Sequence, residues 1–246
     1  MARILITGSA DGLGRIAARI LVSQGHNVML HARNPLRAQE AMKAVPGAEN
    51  VLTADLSKTE EIISLAEQAN STGRFDAVIH NAGVYRVSNT ITFAVNSLAP
   101  YILTSMMFRP ERLIYLSSGL HMQGSSVMSL EAWHQGRFNY SDTKLHVILL
   151  AKIIAAKWKG IYANAVNPGW VPTKMGGAGA PDDLMKGAET QSWLAVSNEP
   201  EAQVSGRYFF HKKERNYSSL ADNISLQEKF ISLCEQITGI RFPEGK

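Results

Sequence analysis

Cysteine is almost missing from this chain. The single residue, Cys234, excludes an intramolecular disulfide and a cysteine-built metal cluster, and it fits a reducing, cytoplasmic setting. It lies in a late helical stretch, where a lone cysteine is expected as a small buried hydrophobe. The histidines His31, His80, His121 and His134 show no His-x-x-x-His or comparable spacing, so no metal site is expected. No run of about 18 apolar residues occurs, and the chain enters a strand at once with no charged-apolar-small leader, so neither a membrane span nor export is expected. Charge of one sign is lacking too. The 25 Lys and Arg residues stand against 21 Asp and Glu and are scattered rather than striped, which suits an anionic small ligand but not nucleic acid.

What is present is an ordinary globular composition, 45% hydrophobic and 19% charged over 246 residues. One domain spanning 1–246 can bury a large core at this length. Short apolar runs at 4–7, 27–31, 50–52, 75–80, 112–117, 162–166 and 207–210 read as strands, several apolar on both faces as a covered sheet requires. Helical segments alternate with them. Asn34-Pro35 is an N-cap followed by the favoured first-turn proline, and Ser57-x-x-Glu60 and Ser225-x-x-Glu228 are capping-box patterns. The order predicts an α/β fold of Rossmann type: a doubly wound parallel sheet of about seven strands with helices on both faces.

Two motifs carry chemistry. The first strand runs into Thr7-Gly8-Ser9-Ala10-Asp11-Gly12-Leu13-Gly14, which opens a helix expected to stop at Gly25. Glycines at such a turn let the backbone approach a pyrophosphate, whose charge then faces the free N–H groups of the helix. Later, Tyr140 and Lys144 lie four apart, on one face of a helix, where an ammonium beside a phenol favours the phenolate and makes a tuned acid/base pair.

These motifs, with Asp55-Leu56, Asn81-Ala82-Gly83, Asn96, Ser117-Ser118, Asn167-Pro168-Gly169 and Thr173 in the same order, resemble the short-chain dehydrogenases/reductases, in their single-domain branch. The resemblance covers nearly the whole chain. It implies an enzyme that interconverts a ketone or aldehyde with its alcohol by hydride transfer, through a catalytic set of Asn96, Ser118, Tyr140 and Lys144. Tyr140 would pass the proton, Lys144 would lower its pKa and hold the nicotinamide ribose, Ser118 would hold the substrate oxygen and Asn96 would fix a water. The resemblance further implies cofactor contacts from Gly8, Ser9, Asp11, Gly12, Leu13, Gly14, Arg33, Asp55, Leu56, Asn81, Ala82, Gly83, Tyr140, Lys144, Pro168, Gly169 and Thr173. At the end of the second strand Ala32 stands where an acid would bind a ribose hydroxyl, and Arg33 follows, so NADP(H) is expected over NAD(H). Asp11 works against that preference, because relatives that take the phosphate often carry a neutral or basic residue there.

The stretch 119–139 is longer than the family's short form and is similar to retinol dehydrogenases. It is expected to wall the substrate pocket, with His121 a candidate substrate contact. Residues 174–199 are expected to form a lid, and Met175, Leu184, Met185, Trp193 and Leu194 suggest an apolar, moderately large substrate with Met175 and Trp193 in contact. The segment 145–156 is apolar on nearly every side, so it lies inside the molecule or meets another subunit. By resemblance, a homodimer would form through this helix and the one holding Asn96, with Met106, Met107 and Phe108 as contacts. Two other readings on such a fold are a regulator that binds the cofactor without turnover and a nucleotide-sugar epimerase or dehydratase. Retention of both Tyr140 and Lys144 disfavours the first, and the glycine spacing and single-domain length disfavour the second.

Overall fold

The computed structural model of the protein describes residues 1–245. Eight strands form one sheet in the order β3-β2-β1-β4-β5-β6-β7-β8. They are β1 (Arg3–Ile6), β2 (Asn27–Ala32), β3 (Asn50–Thr53), β4 (Ala77–His80), β5 (Arg112–Leu116), β6 (Tyr162–Asn167), β7 (Tyr208–Phe210) and β8 (Lys213–Glu214). The first seven run parallel, and β8 returns antiparallel along β7. The helices that matter here are α1 (Gly12–Ser23), α2 (Pro35–Ala44), α3 (Thr59–Ser71), α4 (Asn89–Phe93), α5 (Ala99–Met106), α6 (Leu130–His134), α7 (Tyr140–Lys157), α8 (Leu184–Val196) and α9 (Ile224–Thr238).

Side chains alternate across the central strands, and both sides of the sheet are apolar. Ile4 and Ile6 of β1 join the core under α1, α2 and α8, whereas Leu5 joins the core under α3, α5, α7 and α9. β2 and β3 lie on one side of β1 and β4 to β8 on the other. The order therefore reverses between β1 and β4, which opens a crevice at their carboxyl ends.

The expected architecture is present, with one strand more than the seven expected. β8 is two exposed polar residues without readable alternation. His211 and Lys212, which link it to β7, both have positive φ (50° and 60°) without the glycine or asparagine that usually announces such a turn. Asn34 caps α2 through Arg37 N–H, and Gly25 follows α1 at φ 82°. The two capping-box readings fail. The Ser57 N–H and hydroxyl both donate to the Asp55 carboxylate (3.0 and 2.7 Å), and α3 starts without a side-chain cap. At α9 the cap is Asn223, accepting from Leu226 N–H at 3.0 Å, so Ser225 lies within the first turn.

The apolar helix α7 is enclosed by its own chain. Residues Leu145 to Leu150 are all buried, and the Phe230 ring of α9 lies 5.0 Å from that of His146. No apolar face of α7 remains for a second subunit. Of the other expected contacts Met107 is buried, Met106 is partly buried and Phe108 is well exposed.

Candidate active site

At the nucleotide end, the turn after β1 is held from both neighbouring strands. Asn81 Nδ2 donates to the carbonyls of Thr7 (3.0 Å) and Gly8 (3.2 Å), and Ala82 N–H donates to Thr7 Oγ1 (3.1 Å). Across the turn, Gly8 N–H donates to His31 Nδ1 (3.0 Å), so Nε2 carries the hydrogen and donates to the Ala54 carbonyl (3.1 Å). Burial lowers the His31 pKa to about 4, which keeps the ring neutral and this bridge intact. Gly8 has φ 65°, and a Cβ there would lie 2.8 Å from Ala82 Cα; at Gly14 it would lie 2.5 Å from the Gly8 carbonyl. Larger residues would push the turn apart.

The Gly12 amide is capped by Asp11 Oδ1 (2.9 Å), while the amides of Leu13 and Gly14 have no hydrogen-bond partner among the described residues. Two unpaired amides at the start of a twelve-residue helix fit a pyrophosphate. Asp11 also lies 3.8 Å from Arg15, 3.2 Å from Arg37 and 2.6 Å from Lys174, and the Lys174 contact leads in holding its carboxyl down at about 2. Its negative charge is thus outweighed by three cations, which removes most of its expected opposition to a phosphate. Ser9 is different. Its hydroxyl is fully buried, donating to Ile6 O (2.9 Å) and accepting from His31 N–H (2.9 Å), so its side chain shapes the turn and is not available to a cofactor.

A polar recess beyond the turn is lined by Arg33, Thr53, Asp55 and Lys58. Arg33 is exposed and makes no hydrogen bond or ion pair among the described residues, whereas Leu56 points into the core. On the opposite wall, Thr173 lies against Gly12, and α8 holds both Leu13 and the Pro168 carbonyl close to Gly187. Gly169 takes φ 87°, and the following Trp170, 60% exposed, anchors its indole N–H on the Gly176 carbonyl (2.8 Å). Trp170 is a large exposed aromatic beside this wall that the sequence reading passed over.

At the other end of the crevice, β5 ends in two serines with separate tasks. Ser117 is buried and donates to the Lys144 carbonyl at 2.7 Å, tying β5 to α7. Ser118 is half-buried, its hydroxyl accepting from Leu120 N–H (3.2 Å), and it lies near enough to the phenol of Tyr140 to oppose the rise of its pKa. Lys144, 4% exposed, sends its ammonium to the Leu116 carbonyl (2.8 Å), 5.3 Å from the centre of the Tyr140 ring. Burial dominates both groups: it pushes the phenol up to about 12 and the ammonium down to about 8. The phenol is governed first by its loss of water, with Ser118 opposing the rise and Tyr85 adding to it.

Asn96 sits in a single π-helical turn, Ala94–Leu98, between α4 and α5. Its amide clamps Val84, accepting from the N–H (2.8 Å) and donating to the carbonyl (3.0 Å), and also reaches Thr143 Oγ1 (3.2 Å). With its side chain so engaged, it braces the floor under Gly83 and Lys144. α7 begins with a capping box the sequence reading missed: Asn139 Oδ1 accepts from Asp142 N–H, and Asp142 Oδ2 accepts from Asn139 N–H (2.9 Å). Asp142 Oδ1 also accepts from Ser125 N–H at 2.7 Å, so this carboxylate fastens the 119–139 stretch to the helix that carries Tyr140. Asn three places before Asp was a legible signal.

Two of the three substrate candidates lie elsewhere. His121 is 1% exposed and spans two backbone segments: Nε2 accepts from Ser218 N–H (3.2 Å), leaving Nδ1 to donate to the Ser118 carbonyl (2.6 Å). It is a strut behind Ser118, not a substrate contact. Trp193 packs on Phe209 with its N–H on Glu199 (2.8 Å), in the core under α8. Because α8 packs against α1, the expected lid is tied to the core through residues such as Leu194, whereas 174–183 and Met185 stay outside it. Met175 is 41% exposed on that segment. The open cleft of about 470 Å³ beside Tyr140 is lined by Tyr85, Arg86, Val87, Leu120, Gln123 and Asn139 among others, a mixed polar and apolar surface, and by neither Met175 nor Trp193.

Comparison with known proteins agrees with this geometry. The family model for short chain dehydrogenases matches residues 2–183. An uncharacterized oxidoreductase of Emericella nidulans is 43% identical over 100% of both chains, and retinol dehydrogenase 14 of Mus musculus is 28% identical over 96% of this chain and 86% of its own. A Shigella flexneri chain described as a short chain dehydrogenase, solved in complex with NADP, shares the fold with a TM-score of 0.68 at 22% identity, over 86% of this chain and 97% of its own. The crevice at the β1/β4 reversal, with its glycine turn at one end and its Tyr-Lys pair at the other, is that of an oxidoreductase, and the chain belongs to the short-chain dehydrogenase family.

Proposed function

We propose that the protein interconverts a ketone or aldehyde with its alcohol and uses NADP(H) in preference to NAD(H). The observation that carries this reading is the Tyr140 phenol with the buried ammonium of Lys144 5.3 Å from its ring centre and Ser118 nearby, in the same crevice as the unpaired amides of α1. The residues present fit a dinucleotide: Leu13 and Gly14 would hold its pyrophosphate, Lys144 its ribose, and Arg33 its 2′-phosphate. When bound, the cofactor supplies or accepts the hydride.

The chain's own residues account for the rest. Reduction places negative charge on the substrate oxygen, and the hydroxyls of Ser118 and Tyr140 would provide an oxyanion site there. Ser118 Oγ keeps its proton and fixes the oxygen. Tyr140 Oη gives its proton to that oxygen, and the phenol is suited to this role because burial keeps it protonated at neutral pH. The resulting phenolate is stabilised by the Lys144 ammonium, whose own burial leaves it little competing solvation. The absence of an acid at the end of β2 and the uncommitted Arg33 support NADP(H).

The test is a panel of aldehydes and ketones with NADPH or NADH, followed at the nicotinamide absorbance. Turnover that prefers NADPH and falls at least about a thousandfold in Tyr140→Phe, with NADPH affinity kept within a few-fold, is the expected result. Equal turnover in the variant would overturn the assignment of the proton donor.

A further inference from the structure

The cleft beside Tyr140 contains a cation to which the proposed chemistry gives no task. Arg86 follows the stretch that Asn96 clamps at Val84, so the chain enters it from a fixed point. Its φ of 60° lies in the left-handed region, which a long side chain occupies only against a steric cost, and such strain gathers where a side chain has to be aimed. This conformation places the guanidinium over the Tyr85 ring, 5.4 Å from its centre, and the Tyr85 ring lies 4.6 Å from that of Tyr140. The cation is therefore one aromatic ring away from the reacting phenol. It makes no hydrogen bond or ion pair among the described residues, and no carboxylate lines the cleft; Asn89, Gln123, Asn139 and Ser141 are neutral.

We infer that Arg86 binds a carboxylate on the substrate, so that the preferred substrate is a carbonyl compound, or its alcohol, with the acid group about one aromatic ring from the reacting carbon. The inference rests on the reading of Tyr140 as the proton donor. A guanidinium matches a carboxylate with two parallel hydrogen bonds, and the Tyr85 ring beneath it offers a face on which an aryl or unsaturated body can stack. Met175 and Trp193, expected to meet an apolar substrate, lie off the cleft, and Val87 and Leu120 give it apolar surface beside the cation.

The probes are 4-carboxybenzaldehyde and its methyl ester, which share a ring and an aldehyde and differ in charge. The variant is Arg86→Gly, because glycine takes the left-handed conformation without strain and should not cost folding. In the unaltered enzyme kcat/KM for the acid should exceed that for the ester by about tenfold or more. Arg86→Gly should raise KM for the acid by a similar factor and leave the ester constant and NADPH affinity nearly unchanged; the ratio between the two proteins cancels the intrinsic reactivity of the aldehydes. Equal constants for acid and ester in the unaltered enzyme, or the same change for both in the variant, would overturn the inference. Should neither aldehyde be reduced, the carbonyl chemistry fails, and calorimetric titration of the NADP+ complex with benzoate against benzamide decides the anion site separately. Benzoate binding that Arg86→Gly removes upholds it. No preference for benzoate overturns it.

Discussion

The two ends of the crevice treat charge in opposite ways. At the nucleotide end Asp11 is one-third exposed and collects Arg15, Arg37 and Lys174 around it, so charges are paired, wet and screened. At the catalytic end Lys144 is buried with a backbone carbonyl as its nearest partner, and no carboxylate is hydrogen-bonded to it. Exposed ion pairs are worth little each, because water and salt already satisfy them, whereas an uncompensated buried ammonium is expensive. The nucleotide end should therefore respond to substitution in small, salt-dependent steps that alter affinity. The catalytic end should respond in large steps that alter turnover, and losing its charge should relieve the fold.

That contrast is tested most sharply by Lys144→Met. The ammonium pKa is lowered to about 8 from an ordinary 10.5, so below about 8 the folded protein carries a buried charge that the unfolded chain carries more cheaply. The cost is complete there and fades as pH rises from about 8 to 10.5, where the folded amine is neutral first. Lys144→Met should lose turnover by about a hundredfold or more, yet unfold at an equal or higher temperature at pH 7, with that advantage shrinking toward pH 10. Thermal melts across this range check the sign, and a variant less stable at pH 7 than at pH 10, each relative to wild type, would break the comparison.

Arg33→Ala should act on affinity alone. Loss of a charge-assisted contact worth roughly 1.5 to 3 kcal/mol weakens NADPH by about ten- to a hundredfold and leaves NADH nearly unchanged, as two calorimetric titrations would show. Equal losses would make Arg33 a bystander.

His121 lies between these extremes, since it acts through Ser118. His121→Leu removes both of its hydrogen bonds and should lower kcat about tenfold with NADPH affinity intact, whereas His121→Asn, which keeps a donor where Nδ1 was, should recover most of it. Equal kcat in the two variants would show that the bond to the Ser118 carbonyl does not matter.

The smallest effect belongs to Asp11→Asn, which keeps an oxygen to cap α1 and releases three cations toward a phosphate. NADPH should bind a few-fold tighter at low ionic strength, and the difference should vanish near half-molar salt. Weaker binding at low salt would mean that the carboxylate holds the cations in place.

The same division governs what could be read without the structure. The alternation of strands and helices, the Asn34-Pro35 start, the helix end at Gly25, the glycine turn and the Tyr140/Lys144 spacing are all local: each depends on the backbone preferences or periodicity of a few neighbouring residues, and the structure has them. The Asn139/Asp142 cap was equally local and was overlooked. The two misread caps are places where another polar side chain only two residues away competed for the same role. Ser57 was drawn to Asp55 and away from α3, and Asn223 took the cap that Ser225 was expected to make.

By itself the amino-acid order determined the fold class and the presence of a nucleotide turn and a Tyr-Lys pair, because glycine conformations and helix periodicity are short-range properties of the chain. Only the tertiary structure decided which serine lies near Tyr140, that His121 is a strut, that Trp193 packs on the core, that α9 covers α7, and that burial leads in setting the phenol. Each of these depends on which residues far apart in sequence share a dry volume, and desolvation and side-chain partners exist only once that volume has closed.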